Sequence, residues 1–211
     1  MTRQAKVDLI VDKAHYDELV VGTILKAKTS VWIATANVKE MMHEAPIGTT
    51  ARARGRYVSI LESLRDMARR GVEIRLLHAG TPSRPFRTAL AKYKPPARFE
   101  MRQCPRVHLK LIACDGGKLY LGSANFTGAG LGAKGEGRRN FEMGVLTDDD
   151  VLLDQTQERF DRIWRGKECA SCKLRDVCPK PLDQIKLTSR SANVNNSEDW
   201  LRQPQSKKAP K

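Results

Sequence analysis

The sequence lacks several features that would place the chain in other classes of protein. It has no run of the roughly 18 apolar residues that a membrane-spanning helix needs, so we expect no insertion into a membrane. The charged N-terminus also lacks the apolar core of a secretory signal, and the cytoplasm is therefore the expected location. No internal repeat and no cluster of carboxylates that would hold a catalytic divalent ion is found.

Negative charge is also scarce relative to positive charge. The chain has 24 acidic residues and 38 lysines and arginines, which gives a formal net charge of +14. An excess of this size favours a polyanionic partner such as DNA, RNA or an anionic membrane surface. A basic surface without any such partner is the plainer alternative. The length of 211 residues suits one domain with a core of its own and small additions.

The hydrophobic pattern alternates between the periods of strands and helices, which predicts an α/β sandwich with a mixed sheet flanked by helices. The predicted strands cover residues 6–11, 30–38, 72–77, 98–103, 107–114, 119–125 and 140–147, and the predicted helices cover 12–28, 60–68 and 151–164. Basic loops are expected at 49–56 and 81–98, and a glycine-rich loop at 128–139. Residues 1–166 would form the catalytic domain, 167–183 a cysteine-rich segment and 184–211 a basic, disordered tail.

A hairpin near the middle of the chain carries the chemistry. His108 and Lys110 lie two residues apart on one predicted strand, and Ser123 and Asn125 lie two apart on the next. Side chains two apart share a face of a strand, and Asp115-Gly116-Gly117 between the strands is a strong turn signal. An imidazole, an ammonium, a hydroxyl and an amide that meet in one place suit a phosphate group.

The same residues resemble a known family. VHLKLIACD resembles the H-x-K-x4-D motif of the phospholipase D superfamily, and GSANFT is similar to the G-S-x-N-x-T that follows it. The resemblance covers about residues 7–166. It implies that His108 is a nucleophile that forms a phosphohistidine, and that Lys110, Ser123 and Asn125 bind the phosphoryl oxygens. Glu142, in the sequence NFE, would orient His108, and Asp115, the motif aspartate, is interpreted as structural.

A single copy of the motif predicts two chains at one site. Displacement at phosphorus needs a nucleophile on one side and an acid for the leaving oxygen on the other, and one imidazole cannot serve as both in one step. A two-fold homodimer would place two His108 residues across one phosphate, and the resemblance implies the same arrangement. This scheme requires no cofactor or metal for catalysis.

Charge and loops favour nucleic acid as the substrate, DNA more than RNA, and therefore an endonuclease. Basic residues of the predicted loops would track a phosphate backbone without reading sequence: Arg52, Arg54, Arg56, Lys134, Arg138 and Arg139. A phospholipase or phosphatidyl transferase acting on lipid phosphodiesters is one alternative. A catalytically silent nucleic-acid-binding module is another.

Three of the five cysteines lie close together, as Cys169-x2-Cys172-x5-Cys178. This spacing predicts a structural metal site, either zinc or an iron–sulfur cluster, and is similar to the cysteine run of RecB-like iron–sulfur nucleases. Cys104 is the candidate fourth ligand, with Cys114 or a partner chain as alternatives. The alternative is that Cys169, Cys172 and Cys178 are reduced thiols in a loop that binds no metal.

Overall fold

The computed structural model describes residues 3–45 and 48–184. Its centre is a mixed seven-stranded sheet. In chain order the strands are β1 (Asp8–Val11), β2 (Ser30–Thr35), β5 (Glu73–His78), β6 (Phe99–Gln103), β7 (Leu111–Cys114), β8 (Lys118–Gly122) and β9 (Met143–Thr147). A separate hairpin consists of β3 (Met42–Glu44) and β4 (Tyr57–Ser59).

The order of strands across the sheet is β1-β9-β8-β7-β2-β5-β6. β2, β5 and β6 run parallel to each other, whereas β7, β8, β9 and β1 pair antiparallel. The predicted α/β architecture with a mixed sheet is therefore confirmed.

Helices cover both faces of the sheet. They are α1 (Thr50–Ala53), α2 (Ile60–Arg69), α3 (Arg84–Tyr93) and α4 (Asp150–Trp164). α2 and α3 contribute to the large core on one face, and α4 contributes Phe160 and Trp164 to a smaller cluster on the other. Because side chains alternate between the faces of a strand, Ile112 of β7 enters the first core and Leu111 the second.

The bounds of α2 and α4, two helices that the sequence predicted, coincide with capping residues. In α2 the Ser59 side chain accepts a hydrogen bond from the Glu62 N–H, and Gly71 adopts a φ of +107° just beyond the helix. In α4 Asp149 accepts one from the Leu152 N–H. Asp149 is thus the N-terminal cap of α4.

Two predicted segments were wrong. The helix expected over 12–28 is broken into a π-helical segment, His15–Val21, and a single turn, Ile24–Lys26. The break lies at Gly22, where a Cβ would come within 2.4 Å of the Glu18 carbonyl oxygen. The basic loop expected over 81–98 contains α3, whose Ser83 cap and Pro85 near the start precede buried Phe86, Ala89 and Leu90.

The predicted strands of the hairpin were too long at their open ends. β7 begins at Leu111 and β8 ends at Gly122, so the motif residues lie in the extended segments beyond the strands. The chain turns away after Ala124 because Phe126 pairs with Val38 as an isolated bridge instead of continuing the ladder. β9 likewise begins at Met143, just after Glu142.

The segment after α4 folds back onto the domain. Leu182 is buried in the cluster that contains Phe160 and Trp164. The predicted tail lies outside the described residues from 185 onward. Within 3–45 and 48–184, no helix has both the length and the apolar character to cross a bilayer.

Candidate active site

His108 and Lys110 lie at the open end of the β7–β8 hairpin. The Lys110 carbonyl oxygen accepts a hydrogen bond from the Gly122 N–H at 3.2 Å, which continues the strand pairing by one residue. The Lys110 Nζ is 3.2 Å from both ring nitrogens of His108 and donates to the His108 carbonyl oxygen at 3.0 Å. His108 itself is exposed. An oxyanion that reaches the imidazole therefore also meets the ammonium group.

Asn125 is held next to the same strand end. Its Oδ1 accepts a hydrogen bond from the Asn37 N–H at 3.1 Å and lies 3.2 Å from the Thr35 Oγ1. Thr35 follows Ala34, which is paired with Leu111, so the register places Thr35 beside Lys110. The oxygen of the Asn125 amide is thus occupied by protein. Its two N–H donors make no hydrogen bond within the described residues and can serve a substrate oxygen.

Ser123 and Glu142 form a pair at the start of β9. The Ser123 hydroxyl donates to the Glu142 Oε2 and accepts from the Met143 N–H at 3.1 Å. The Asn140 Nδ2 donates to the other carboxylate oxygen at 2.9 Å. The contact between Glu142 and His108 that the sequence predicted is not formed, since the hydrogen-bonded partners of this carboxylate are Ser123 and Asn140. Glu142 orients the serine directly.

Asp12 fixes the backbone of Glu142. Its Oδ1 accepts from the Glu142 N–H, and its own N–H donates to the Glu142 carbonyl oxygen, both at 2.9 Å. Asp12 adopts a φ of +44°, which an aspartate tolerates better than most residues. Nothing in the sequence pattern indicates this role, because the spacing predicts that Asp12 begins a helix.

A buried pair, His15 and Tyr120, packs beneath the residues of the site and hydrogen-bonds their backbone. The Tyr120 hydroxyl accepts from the Ala124 N–H at 3.2 Å and is 3.0 Å from the His15 Nε2. The His15 Nδ1 is 3.1 Å from the Asp12 carbonyl oxygen, so it carries the ring proton and Nε2 accepts from the tyrosine. Burial lowers the pKa of His15 and raises that of Tyr120 to about 12, which keeps both neutral. His43 and His78 are buried as well.

Asp115 lies at the other end of the hairpin, at a φ of +56° in the turn. Its carboxylate accepts hydrogen bonds from the N–H groups of Lys28, Thr29 and Ser30 and from the Thr29 hydroxyl. Burial opposes ionisation, but these hydrogen bonds outweigh it and lower the pKa of Asp115. The motif aspartate therefore ties the turn to the start of β2, as expected of a structural residue.

The glycine-rich loop after Asn125 packs against the segment before β3. A Cβ on Gly128 would meet the Lys134 Cε at 3.4 Å and the Met41 Cγ at 3.7 Å, which joins the loop after Asn125 to the segment before β3. Arg52 forms an ion pair with Glu44 and is therefore engaged within the protein. Of the other basic residues predicted to bind a phosphate backbone, Arg139 is partly buried. The rest are exposed: Arg54, Arg56, Lys134 and Arg138.

The cysteine-rich segment does come together with Cys104. All four sulfur-bearing residues line one pocket, which also contains Arg106 and Arg175. Cys114 lies elsewhere, buried in β7 within the main core, and is excluded as the fourth ligand by its position. Across the described part of the chain, no group of three or more His, Cys, Asp or Glu side chains is already arranged to hold a metal ion.

Comparisons with known proteins agree with the fold. The family model described as "Cardiolipin synthase, PLD-like domain" matches residues 20–164. Nuc from Salmonella typhimurium, a phospholipase D family member, is 22% identical, with a TM-score of 0.53 over 77% of this chain and 95% of its own. NucT from Helicobacter pylori is 18% identical, with a TM-score of 0.51 over 75% and 95%. The comparison with curated proteins finds no match.

Proposed function

The chain belongs to the phospholipase D-like domain family, and we propose that it is a phosphodiesterase that cuts nucleic acid as a homodimer. The observation that carries the proposal is the arrangement of an imidazole, an ammonium, a hydroxyl and an amide group at the open end of the β7–β8 hairpin. Lys110 contacts His108, and Asn125 and Ser123 are each held by one oxygen in a fixed orientation.

In the first step the imidazole of His108 attacks the phosphorus of a bound phosphodiester. A P–N bond forms while the bond from phosphorus to the leaving oxygen breaks, and an imidazolium on the opposite side gives its proton to that oxygen. Lys110 and the Asn125 amide would stabilise the charge on the non-bridging oxygens, which grows in the transition state.

In the second step a water molecule gives a proton to the imidazole that acted as acid and attacks the phosphohistidine. The P–N bond breaks, and His108 is regenerated. The acid of the first step must be a second histidine at the site, and the proposal assigns it to His108 of the partner subunit. The exposure of His108 in one chain supports this assignment, because a nucleophile that needs an enclosed site is open to solvent here.

An apolar patch beside the site offers the surface for the second copy. Val7, Leu9, Val11, Phe141 and Met143 are all exposed, and Phe141 is 97% exposed. Val11 is paired with Met143 across β1 and β9, so both lie on one face of the sheet at its edge. Phe141 and Met143 flank Glu142, so a copy that covers this patch lies next to the site. A two-fold contact of this kind is self-complementary.

The substrate class follows from charge. The net charge is +14. Lys134 and Arg138 are exposed on the loop that follows Asn125, and Arg54 and Arg56 are exposed on the loop before β4. Such loops bind a nucleic acid backbone independently of its sequence. No base-reading motif is found in the sequence, so we propose an endonuclease without strong sequence preference.

Incubation of the protein with plasmid and single-stranded DNA in EDTA tests the proposal. We expect cutting in the chelator by the native protein and none by His108→Ala, which should still bind DNA in a fluorescence anisotropy titration. Cutting by the His108→Ala protein would contradict the assigned nucleophile. Binding without cutting by the native protein would favour the silent binding module instead.

The description of the matching family model favours one second candidate, a lipid phosphodiesterase or phosphatidyl transferase. The same hairpin geometry would serve a lipid phosphodiester, since the chemistry at phosphorus is the same. Anionic liposomes should therefore be offered in the same assay. Hydrolysis or transfer in liposomes without cleavage of DNA would establish this alternative.

A further inference from the structure

We infer that Cys104, Cys169, Cys172 and Cys178 together hold a metal centre, either a zinc ion or an iron–sulfur cluster, that fastens the C-terminal segment beside the catalytic histidine. The sequence left the fourth ligand open among several alternatives. In the structure Cys104 and the other three cysteines line the same pocket. Cys104 also lies within electrostatic range of each of the other three.

The backbone of the segment already bends around this pocket. The Cys169 N–H donates to the Gly166 carbonyl oxygen, the Cys172 N–H to that of Cys169, and the Arg175 N–H to that of Cys172. These consecutive turns keep the chain curled, so that three cysteines from ten residues of sequence face one space. Short turns of this kind are how proteins present thiolates to one metal.

Apolar packing alone provides little to keep this segment folded. Leu182 is buried, but Leu174 is 41% exposed and Val177 is 77% exposed. Segments of this size have too little core to be stable by themselves and are commonly held by disulfides or a metal. All five cysteines of the chain are free thiols in the structure, which leaves them available as ligands.

The charges around the pocket suit a site of this kind. Four thiolates around a divalent ion carry a net charge of about −2, and cationic neighbours stabilise it. Arg106 and Arg175 both line the pocket, and Arg175 pairs with Asp183 at 2.6 Å. The thiols are partly buried, so water has limited access to the ligands.

The thiols are not yet set around one point, since no metal-binding arrangement is present among residues 3–45 and 48–184. Rotation about the Cα–Cβ bond of each cysteine changes the direction of its sulfur without moving the backbone. The inference therefore requires the four sulfur atoms to turn into the pocket that they already line, at the roughly 2.3 Å typical of a bond from zinc to sulfur.

The place of the pocket gives the centre a role. Cys104 precedes His108 by four residues, and Val107 between them is buried in the cluster that contains Leu182. A metal bound by Cys104 would link the segment 167–184 to the stretch of chain that carries the nucleophile. Loss of the metal should thus loosen the segment first and the position of His108 second.

Metal analysis of the full chain, purified without chelators and without oxygen, tests the inference. We expect about one zinc ion per chain, or iron with acid-labile sulfide and a brown colour. Cys104→Ser and Cys172→Ser should both lose the metal. Cys114→Ala is the matched control and should keep it, because Cys114 lies in the core of the sheet.

A second measurement covers variants that fold poorly. Removal of the metal from the native protein with a chelator should speed tryptic cleavage at Lys173 and Arg175, while cleavage at Arg69 stays slow. A protein purified without metal, a Cys104→Ser variant that retains it as fully as Cys114→Ala does, or disulfides in the intact mass would overturn the inference. None of these readouts uses DNA cleavage, so their outcome is independent of the proposed function.

Discussion

The two ends of the β7–β8 hairpin carry parts of one motif but are built in opposite ways. At the turn, the Asp115 carboxylate is held by three backbone N–H groups and a hydroxyl. At the open end, His108 is exposed and its only side-chain partner in the described residues is Lys110. Asp115 and Lys110 are five residues apart along the strand, which is roughly 17 Å at the rise of a strand. A fully satisfied polar group stabilises the fold, whereas groups with spare donors can bind a substrate.

Substitution at the open end should have the largest effect on activity. Lys110→Ala should lower kcat by about 10²- to 10³-fold, because a charge that stabilises the phosphoryl oxygens is lost. The melting temperature should change little, since the lysine side chain bonds only to His108. Cleavage rates and thermal unfolding measure the two. A large drop in stability with normal kcat would reverse the roles of the two ends.

The proposed dimer implies that one chain alone lacks the second histidine that the site at the open end needs. If each site needs two His108 residues, only dimers of two native chains are active. When native and His108→Ala chains are mixed, activity should therefore fall as the square of the fraction of native chains. A Leu9→Arg, His108→Ala double variant, unable to pair, should not inhibit. Val151→Glu, an exposed apolar position on α4, is the control for Leu9→Arg and should leave the dimer intact. Activity strictly proportional to the native fraction would show that one chain suffices.

Basic residues of the loop before β4 should matter more for DNA binding than basic residues near the Asp115 turn. Arg54→Gln with Arg56→Gln should weaken DNA binding and reduce the slope of log K against log salt by about 2. Arg69→Gln with Arg70→Gln is the matched control, because α2 ends just before β5 begins, on the side where Ser30 meets the Asp115 turn. Anisotropy titrations at several salt concentrations measure the slopes. Equal slopes for the two pairs would argue against a localised interface.

The smallest expected effect is on stability at the turn. Asp115→Asn should lower the free energy of unfolding by about 1 kcal/mol at neutral pH, a modest value because the carboxylate is exposed to solvent. The folded pKa lies below the unfolded value, so this contribution is present above the unfolded pKa and is lost as the pH falls through the folded one. Urea unfolding of both proteins at neutral and acid pH measures the difference. Asp148→Asn, which loses one ion pair to Lys118, should have less effect.

The sequence predicted the motif residues but not how they contact each other. The motif residues lie two apart in each of two consecutive strands, so that each pair shares a face whatever the exact register. Their convergence at the open end of the hairpin could therefore be expected for His108, Lys110, Ser123 and Asn125. The contacts of Glu142 with Ser123 and Asn140 depend on where β9 begins. They could not be derived from spacing, because a shift of one residue in a strand exchanges its two faces.

Local pattern failed where tertiary contacts outweigh propensity. The apolar spacing over 12–28 is helical, yet Asp12 takes a left-handed conformation and hydrogen-bonds Glu142, and Gly22 interrupts the helix. In the opposite direction, prolines around α3 suggested a loop, although Pro85 lies in the first turn, where proline is tolerated. Phe86, Ala89 and Leu90 repeat at helical spacing and could have indicated this helix.

By itself, the sequence predicted the kind of chemistry: residue types and spacings indicate a candidate nucleophile and candidate phosphate-binding groups, and the charge favours an anionic partner. Only the tertiary structure decided that Asn125 is held by Asn37, that Asp12 fixes Glu142 and that Cys104 rather than Cys114 lies with the other three cysteines. The physical reason is that these contacts join residues far apart in the chain. Their partners depend on strand order and register, which no local pattern encodes.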